Sequence, residues 1–454
     1  MVTRRFLSAL AWLKVLSVAA ADQLRPVASS FEAEGHLPPF SIKLGNDTAS
    51  VCNSTTPGTA GFIKSDDGTD SLMELGPCRI AHEGGYTVDN PYGWNANASV
   101  IFLLPIVATL LIEARIISQP VSVGFSRGNA ILEGLVDASH LMHRFLRQFF
   151  TAFPKLSHQD FYISGESYGD SWVPALGANI AKSQAEGDVS GYLDNKQSNL
   201  SQNRMSNPTR TSTINLKGIM LGNGLIRRSV QNGGGLETAC SGPGSLFNST
   251  TCRKWAPRAL WCEQNLDVCG TQGWTSDYVT GALGRNPYDF RLPCNNELEC
   301  YAEMPFIDEY LNRTDIKTSL GVEPDARFNG VSLEVLNQWQ QNGDLWKSSD
   351  SYVNYLLDAN YRVLIYVGDK YWYCNAAGMR RLVNQGLNWH GHPLFRFREL
   401  IPWYTGLKPA GRWKAYEPLT YAEVVDTGHL APFDKPEETL TLINSWIQGS
   451  LPSH

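Results

Sequence analysis

Phe161-Tyr162-Ile163-Ser164-Gly165-Glu166-Ser167-Tyr168-Gly169 is the stretch on which the reading of this chain turns. Phe161 to Ser164 is a short apolar run that fits a buried strand, and the residues from about Ser171 fit a helix. Between them lies Gly-x-Ser-x-Gly. In a strand–turn–helix context the two glycines permit a strained turn that lifts the serine Oγ above the sheet edge, with the next backbone N–H facing a site for an oxyanion. The expectation is therefore a nucleophilic serine at Ser167, with Tyr168 N–H as one oxyanion donor.

Outward from this point the chain alternates strand and helix patterns. Ser99 to Leu103, Leu216 to Leu221, Arg362 to Val367 and Ala422 to Val425 read as buried strands. From Ile131 to Phe150, the residues Leu135, Ala138, Met142, Phe145 and Phe149 recur at spacings of three and four and define a helical stripe. Pro436 to Gln448 reads as a helix opened by Asp434 and Pro436. Such alternation predicts an α/β fold, a central sheet with helices on both faces. The apolar run Val100 to Ile112 contains Pro105 and is shorter than the roughly 20 residues a membrane crossing needs, so it reads as a strand running into a second apolar element. Ser183 to Thr213, rich in Ser, Asn, Gln and Asp, reads as a surface loop.

A serine nucleophile needs a base and an acid, which in this arrangement follow in the order Ser, acid, His. Strand Ala422 to Val425 runs into Asp426-Thr427-Gly428-His429, placing His429 on a loop at a strand's end. Strand Arg362 to Val367 ends in Gly368-Asp369-Lys370-Tyr371, and position alone nominates Asp369 as the acid.

The 454 residues carry 38 basic and 44 acidic side chains, a net charge of −6, and 43% hydrophobic residues. That composition excludes a wholly disordered chain, and without a basic block it argues against nucleic acid and anionic membranes as partners. Arg4 and Arg5, the apolar run Phe6 to Ala20 and the small residues before Asp22 form a secretory signal pattern over residues 1–21, after whose removal no membrane attachment is expected. Asn46, Asn53, Asn97, Asn199, Asn248 and Asn312 are glycosylation sequons, in keeping with secretion. The nine cysteines include a cluster from Cys240 to Cys300 that lacks Cys-x-x-Cys pairs and interleaved histidines. Local disulfides are expected there, within a cap inserted at about residues 225–310, and neither a metal nor another cofactor is expected.

Several blocks, in order, carry a family resemblance: Glu74-Leu75-Gly76-Pro77-Cys78, Asn90-Pro91-Tyr92-Gly93-Trp94-Asn95, Val100-Ile101-Phe102-Leu103, Gln119 to Ser126, Gly165 to Gly169, Leu216-Lys217-Gly218 with Gly222-Asn223-Gly224, Gly368-Asp369, Cys374-Asn375, and Gly428-His429 with Pro432-Phe433-Asp434. Together they resemble the serine carboxypeptidases of the yeast carboxypeptidase Y type, fungal branch. The resemblance implies an α/β-hydrolase fold over residues 22–454, a mixed central sheet with helices on both faces, with the Cys-rich cap inserted at about residues 225–310. It also implies removal of single residues from the C-termini of peptides or proteins, best in acid, and a secreted or vacuolar location. Glu74 and Glu166 match a carboxyl pair that binds the substrate's terminal carboxylate; two neighbouring carboxyls do not both ionise readily, so one stays protonated in acid and donates. Glu166 before the nucleophile also separates this family from lipases and esterases.

Four departures stand against that pattern. After Lys64 the chain lacks the family's segment ending in Trp-Leu-Asn-Gly-Gly-Pro-Gly, which supplies a second oxyanion N–H, an Asn for the substrate carboxylate, and sheet strands whose loss threatens the fold. Fifteen residues, Leu104 to Ser118, are extra. One missing and one extra block so close together have the pattern of a skipped exon and a retained intron. The family's catalytic Asp falls at Tyr371, which leaves Asp369 only as a stand-in. Asp170 replaces a Gly. The alternative implied is a catalytically inactive secreted family member that binds peptides.

Overall fold

The computed structural model describes residues 42–47, 51–52, 59–63, 75–81, 83–94, 98, 100–104, 108–110, 115–118, 124–125, 134–185, 214–241, 246–264, 284–294, 301, 303–330, 332–344 and 347–451. The signal pattern, Glu74, Asn53, Asn97, Asn199 and nearly all of the Ser183 to Thr213 stretch lie outside them. Two small antiparallel pairs come first, β1 (Ile42–Asp47) with β2 (Thr59–Ile63) and β3 (Cys78–Ala81) with β4 (Tyr86–Asp89). A nine-stranded sheet follows. Its strands are β5 (Ile101–Leu104), β6 (Ala108–Leu110), β7 (Arg115–Ser118), β8 (Phe161–Glu166), β9 (Leu216–Gly222), β10 (Arg362–Gly368), β11 (Ile401–Thr405), β12 (Lys408–Tyr416) and β13 (Leu419–Val424). They lie in the order β11-β12-β13-β10-β9-β8-β6-β5-β7.

The centre, β8 to β9 to β10 to β13, is parallel, and antiparallel strands flank it. Strands buried on both faces read as continuous apolar runs, and successive residues serve opposite cores. Phe161, Ile163, Ile219, Leu221, Val363, Ile365 and Val367 join one core with Met142, Phe145 and Phe149 of the helix Leu135–Ala152 and Leu356 of the helix Asp350–Asp358. Tyr162, Met220, Leu364 and Tyr366 join the other, with Leu442, Ile443 and Trp446 of the helix Pro436–Ile447. Helices thus cover both faces, as the alternation predicts. Among the described residues no helix is long and apolar enough to cross a membrane.

The expected gap in the sheet is not there. β6, from the fifteen-residue insertion, lies between β5 and β8 and pairs antiparallel with both, through Ile101 to Leu110 and Thr109 to Ser164. Its backbone satisfies the edge that the missing segment would leave on β8. The inserted stretch also supplies β7, parallel to β5. The extra residues therefore complete the sheet rather than loop out from it.

Disulfides join Cys52 to Cys78 and Cys240 to Cys252, and Cys294 is also disulfide-bonded. The Cys240–Cys252 bridge links the helices Gly234–Cys240 and Ser249–Gln264, a local pairing within the cysteine cluster. Cys374 is free and buried. Of the sequons, Asn248 is exposed and uses its Oδ1 to accept from Thr251 N–H at 2.9 Å. Asn312 differs: its Nδ2 donates to the carbonyls of Asp308 and Phe328 at 2.8 and 3.0 Å, while Oδ1 accepts from Phe328 N–H at 2.8 Å. A sugar on that nitrogen would remove one of two internal donors, so the geometry argues against Asn312 as an acceptor.

Candidate active site

Parallel pairing brings the carboxyl ends of β8, β9, β10 and β13 to one sheet edge, with Glu166 opposite Gly222, Gly222 opposite Tyr366, and Gly368 opposite Val424. Ser167 follows β8 at once, in the left-handed region with φ of 59°. A non-glycine residue there is strained and is held by its surroundings. Its N–H donates to Gly222 O at 2.9 Å, and its carbonyl accepts from Asp170 N–H at 3.2 Å. Gly165 is required by contact: a Cβ on it would lie 2.7 Å from Val173 Cγ2 and 2.9 Å from the Gly169 carbonyl. The helix Gly169–Ala185 starts directly behind the turn, so Tyr168 N–H lies beside its positive end, where negative charge is favoured. The Tyr168 phenol donates to Asp344 Oδ2 at 3.2 Å; burial and then the Asp344 charge push its pKa up.

His429 lies on the loop after β13, buried at 7% exposure. Burial alone lowers its pKa from 6.5 to about 3, so the imidazole is neutral across the acid range. Two bonds fix its backbone: its N–H donates to Tyr288 O at 2.7 Å, and its carbonyl accepts from Asn223 Nδ2 at 2.5 Å. Asn223 Oδ1 also accepts from Gly368 N–H at 2.7 Å. One buried side chain after β9 thus ties the ends of β10 and β13 together, one residue from the Gly222 carbonyl that holds Ser167. Arg291 clamps the same loop, donating to Asp426 O at 2.7 Å and to Asp434 Oδ2 at 3.2 Å, while Gly428 N–H donates to Asp434 Oδ2 at 2.6 Å.

The acid side is different. The Asp369 carboxylate pairs with Lys370 Nζ at 2.6 Å, and burial raises its pKa despite that pairing. Among the described residues no hydrogen bond joins it to His429, whose buried Nδ1 has no partner. Tyr371 meets the imidazole instead, ring centroid to ring centroid 4.6 Å. The structure therefore does not join Asp369 to His429 in the way position along the chain anticipates; the carboxylate turns toward its own neighbour. Of the substrate-binding pair, Glu166 is buried at the end of β8. Asp170 is fully buried against Gly224, and burial raises its carboxyl well above the usual range although the Gly222 and Gly224 amides act the other way.

Sequence reasoning assigned no role to Asn223, Tyr288 or Arg291. Gly222-Asn223-Gly224 at a strand's end was a visible turn signal, and the Asn223 φ of 53° is of a kind that Asn tolerates.

The family model for serine carboxypeptidase matches residues 67–449. The chain is 33% identical over 402 residues to carboxypeptidase Y of Schizosaccharomyces pombe, covering 84% of this chain and 37% of that protein. It is 31% identical over 415 residues to a vacuolar serine-type carboxypeptidase of Saccharomyces cerevisiae, covering 87% of this chain and 72% of that one. The crystal structure of a prohormone-processing carboxypeptidase from Saccharomyces cerevisiae superposes with a TM-score of 0.66 at 18% identity, over 86% of this chain and 82% of that one. The fold is thus the α/β-hydrolase fold with Ser167 on its elbow. The chain belongs to the serine carboxypeptidase family, and it spans little more than a third of the length of its Schizosaccharomyces pombe relative.

Proposed function

We propose that this chain is a slow serine-type carboxypeptidase acting on peptide C-termini in acid. The observation that carries the reading is the strained Ser167 on its strand-to-helix turn, joined through β9 and Asn223 to the loop that bears a buried, neutral His429. Ser167 Oγ would attack the scissile carbonyl and His429 would take its proton. The amino acid would then leave with that proton, and water would release the acyl group by the same route. Tyr168 N–H would donate to the oxyanion. Glu166 and Glu74 would receive the substrate carboxylate, one of them protonated. Low turnover follows from two deficits: one oxyanion donor missing, at about 10²–10³-fold, and no carboxylate on His429, at about 10⁴-fold.

An inactive peptide-binding role is the second reading, and His429 Nδ1, which has no partner among the described residues, favours it. The signal pattern, the sequons and the vacuolar relative support a place in the secretory route, outside the cell or in the vacuole. The run from about residue 225 to 310 would form a cap over the site.

The test is hydrolysis of blocked dipeptides at pH 4–6 by the purified chain and its Ser167→Ala variant, together with labelling by a fluorophosphonate. The proposal expects weak turnover and labelling, both abolished in the variant. Labelling that survives Ser167→Ala overturns the nucleophile, and peptide binding with neither labelling nor turnover establishes the second reading.

A further inference from the structure

We infer that Tyr371 is a positioning residue for His429, its ring holding by packing the base that related enzymes hold with a carboxylate. The inference rests on the proposed hydrolase reading, but its geometry stands apart from turnover. Tyr371 is 2% exposed and Tyr288 packs on the same imidazole, at 4.6 and 5.2 Å between ring centroids respectively. The two tyrosines lie 6.2 Å apart with planes within 12° of parallel. The three rings therefore form one mutual cluster, which Tyr373 closes at its exposed side, 5.3 Å from Tyr288.

With the backbone of His429 fixed by Tyr288 and Asn223, only its two side-chain torsions are free, and the rings restrict both. Tyr371 is itself buried, and its hydroxyl interacts with the buried Cys374 thiol. Its ring, not its hydroxyl, is what His429 meets.

Aromatic faces also attract cations. When His429 takes the proton of Ser167 it becomes an imidazolium packed on two tyrosine rings, a contact that supplies at most roughly 2- to 30-fold, far below the ~10⁴-fold of a triad carboxylate. The arrangement thus orients the base fully but stabilises its charged form only in part. The titratable and charged groups around it are Tyr288, Tyr371, Tyr373 and Cys374 on the ring side, and Asp289, Asp434 and Arg291 along the loop backbone.

Two readouts test this on the full chain: NMR titration of His429 with carbon-13-labelled histidine, and the rate of fluorophosphonate labelling against pH. Tyr371→Phe should keep the His429 midpoint and label within about 2-fold of the parent, since the ring remains. Tyr371→Ala should raise the midpoint by a unit or more toward 6.5 as water reaches the ring, and slow labelling about 10-fold or more. If the alanine variant fails to fold, Tyr371→Leu keeps the space filled without a π face and should label more slowly than Tyr371→Phe. An unshifted midpoint with unchanged labelling in the alanine variant overturns the inference, as does a Leu variant equal to Phe. Absence of labelling in every protein overturns the hydrolase reading instead, and the titration alone then decides the role of Tyr371.

Discussion

At the end of β8 the chain retains what a serine nucleophile requires: the left-handed Ser167, a Gly165 with no room for a Cβ, and a helix start behind the turn. Two strands away, at the end of β10, the backbone is held as firmly, with Gly368 N–H bonded to Asn223 and Lys370 N–H to Thr427 O at 2.8 Å, yet the chemistry has changed. Asp369 faces Lys370, and Tyr371 packs on His429. The difference teaches that scaffold and chemistry are separable. Loop geometry at a parallel sheet edge is set by strand pairing and a few buried polar bonds, so it does not depend on which side chain packs on His429.

The comparison is broken most strongly by restoring what the second region lacks. Tyr371→Asp alone should change turnover by less than about 3-fold, because it exchanges one means of orienting His429 for another while one oxyanion donor is still missing. With a family-type Asn-Gly-Gly segment inserted after Lys64 and Leu104 to Ser118 removed, the same substitution should raise turnover by up to about 10⁴-fold. Both edits must be made together, since β6 bridges β5 and β8 in the present sheet. Turnover of one blocked dipeptide in both backgrounds checks this; a repaired chain already fully active with Tyr371 would make Asp369 the working acid.

Asn223→Ala removes what the two regions share. It leaves the Gly368 N–H and the His429 carbonyl buried without partners, so a loss of about 2–5 kcal/mol in unfolding free energy by guanidinium titration is expected, together with at least a 10-fold loss in fluorophosphonate labelling. A variant as stable as the parent would show that strand pairing alone holds these loops.

The smallest effect sharpens the nucleophile side. The folded state holds a proton on Asp170 that the unfolded chain releases above about pH 4, so stability falls as pH rises from there toward the raised folded value, by up to about 1.4 kcal/mol per pH unit. His429 acts in the opposite sense. Its folded pKa of about 3 lies below 6.5, so its contribution grows between those values and is lost as pH falls through the window. Asp170→Asn keeps the shape and cannot ionise. Relative to the parent's, its guanidinium midpoint should rise between pH 4 and 7, since the His429 contribution is common to both; the same pH dependence in the two proteins would show that Asp170 ionises freely.

The sequence by itself determined the elements and the candidate nucleophile. Strand runs, the helical stripe from Leu135 to Phe149, the Gly-x-Ser-x-Gly turn and the placing of His429 after a strand all follow from periodicity and turn chemistry within a few residues, which short-range sterics enforce. Only the tertiary structure decided who meets whom at the sheet edge. That β6 fills the place beside β8, that Asn223 reaches His429 across 206 residues, and that Tyr288 and Tyr371 flank one imidazole depend on pairing between strands far apart in the chain. The direction of Asp369 was hidden for the same reason: its side-chain partner is chosen by burial and by the charge of Lys370 at its side, and proximity in sequence to a catalytic position carries no information about either.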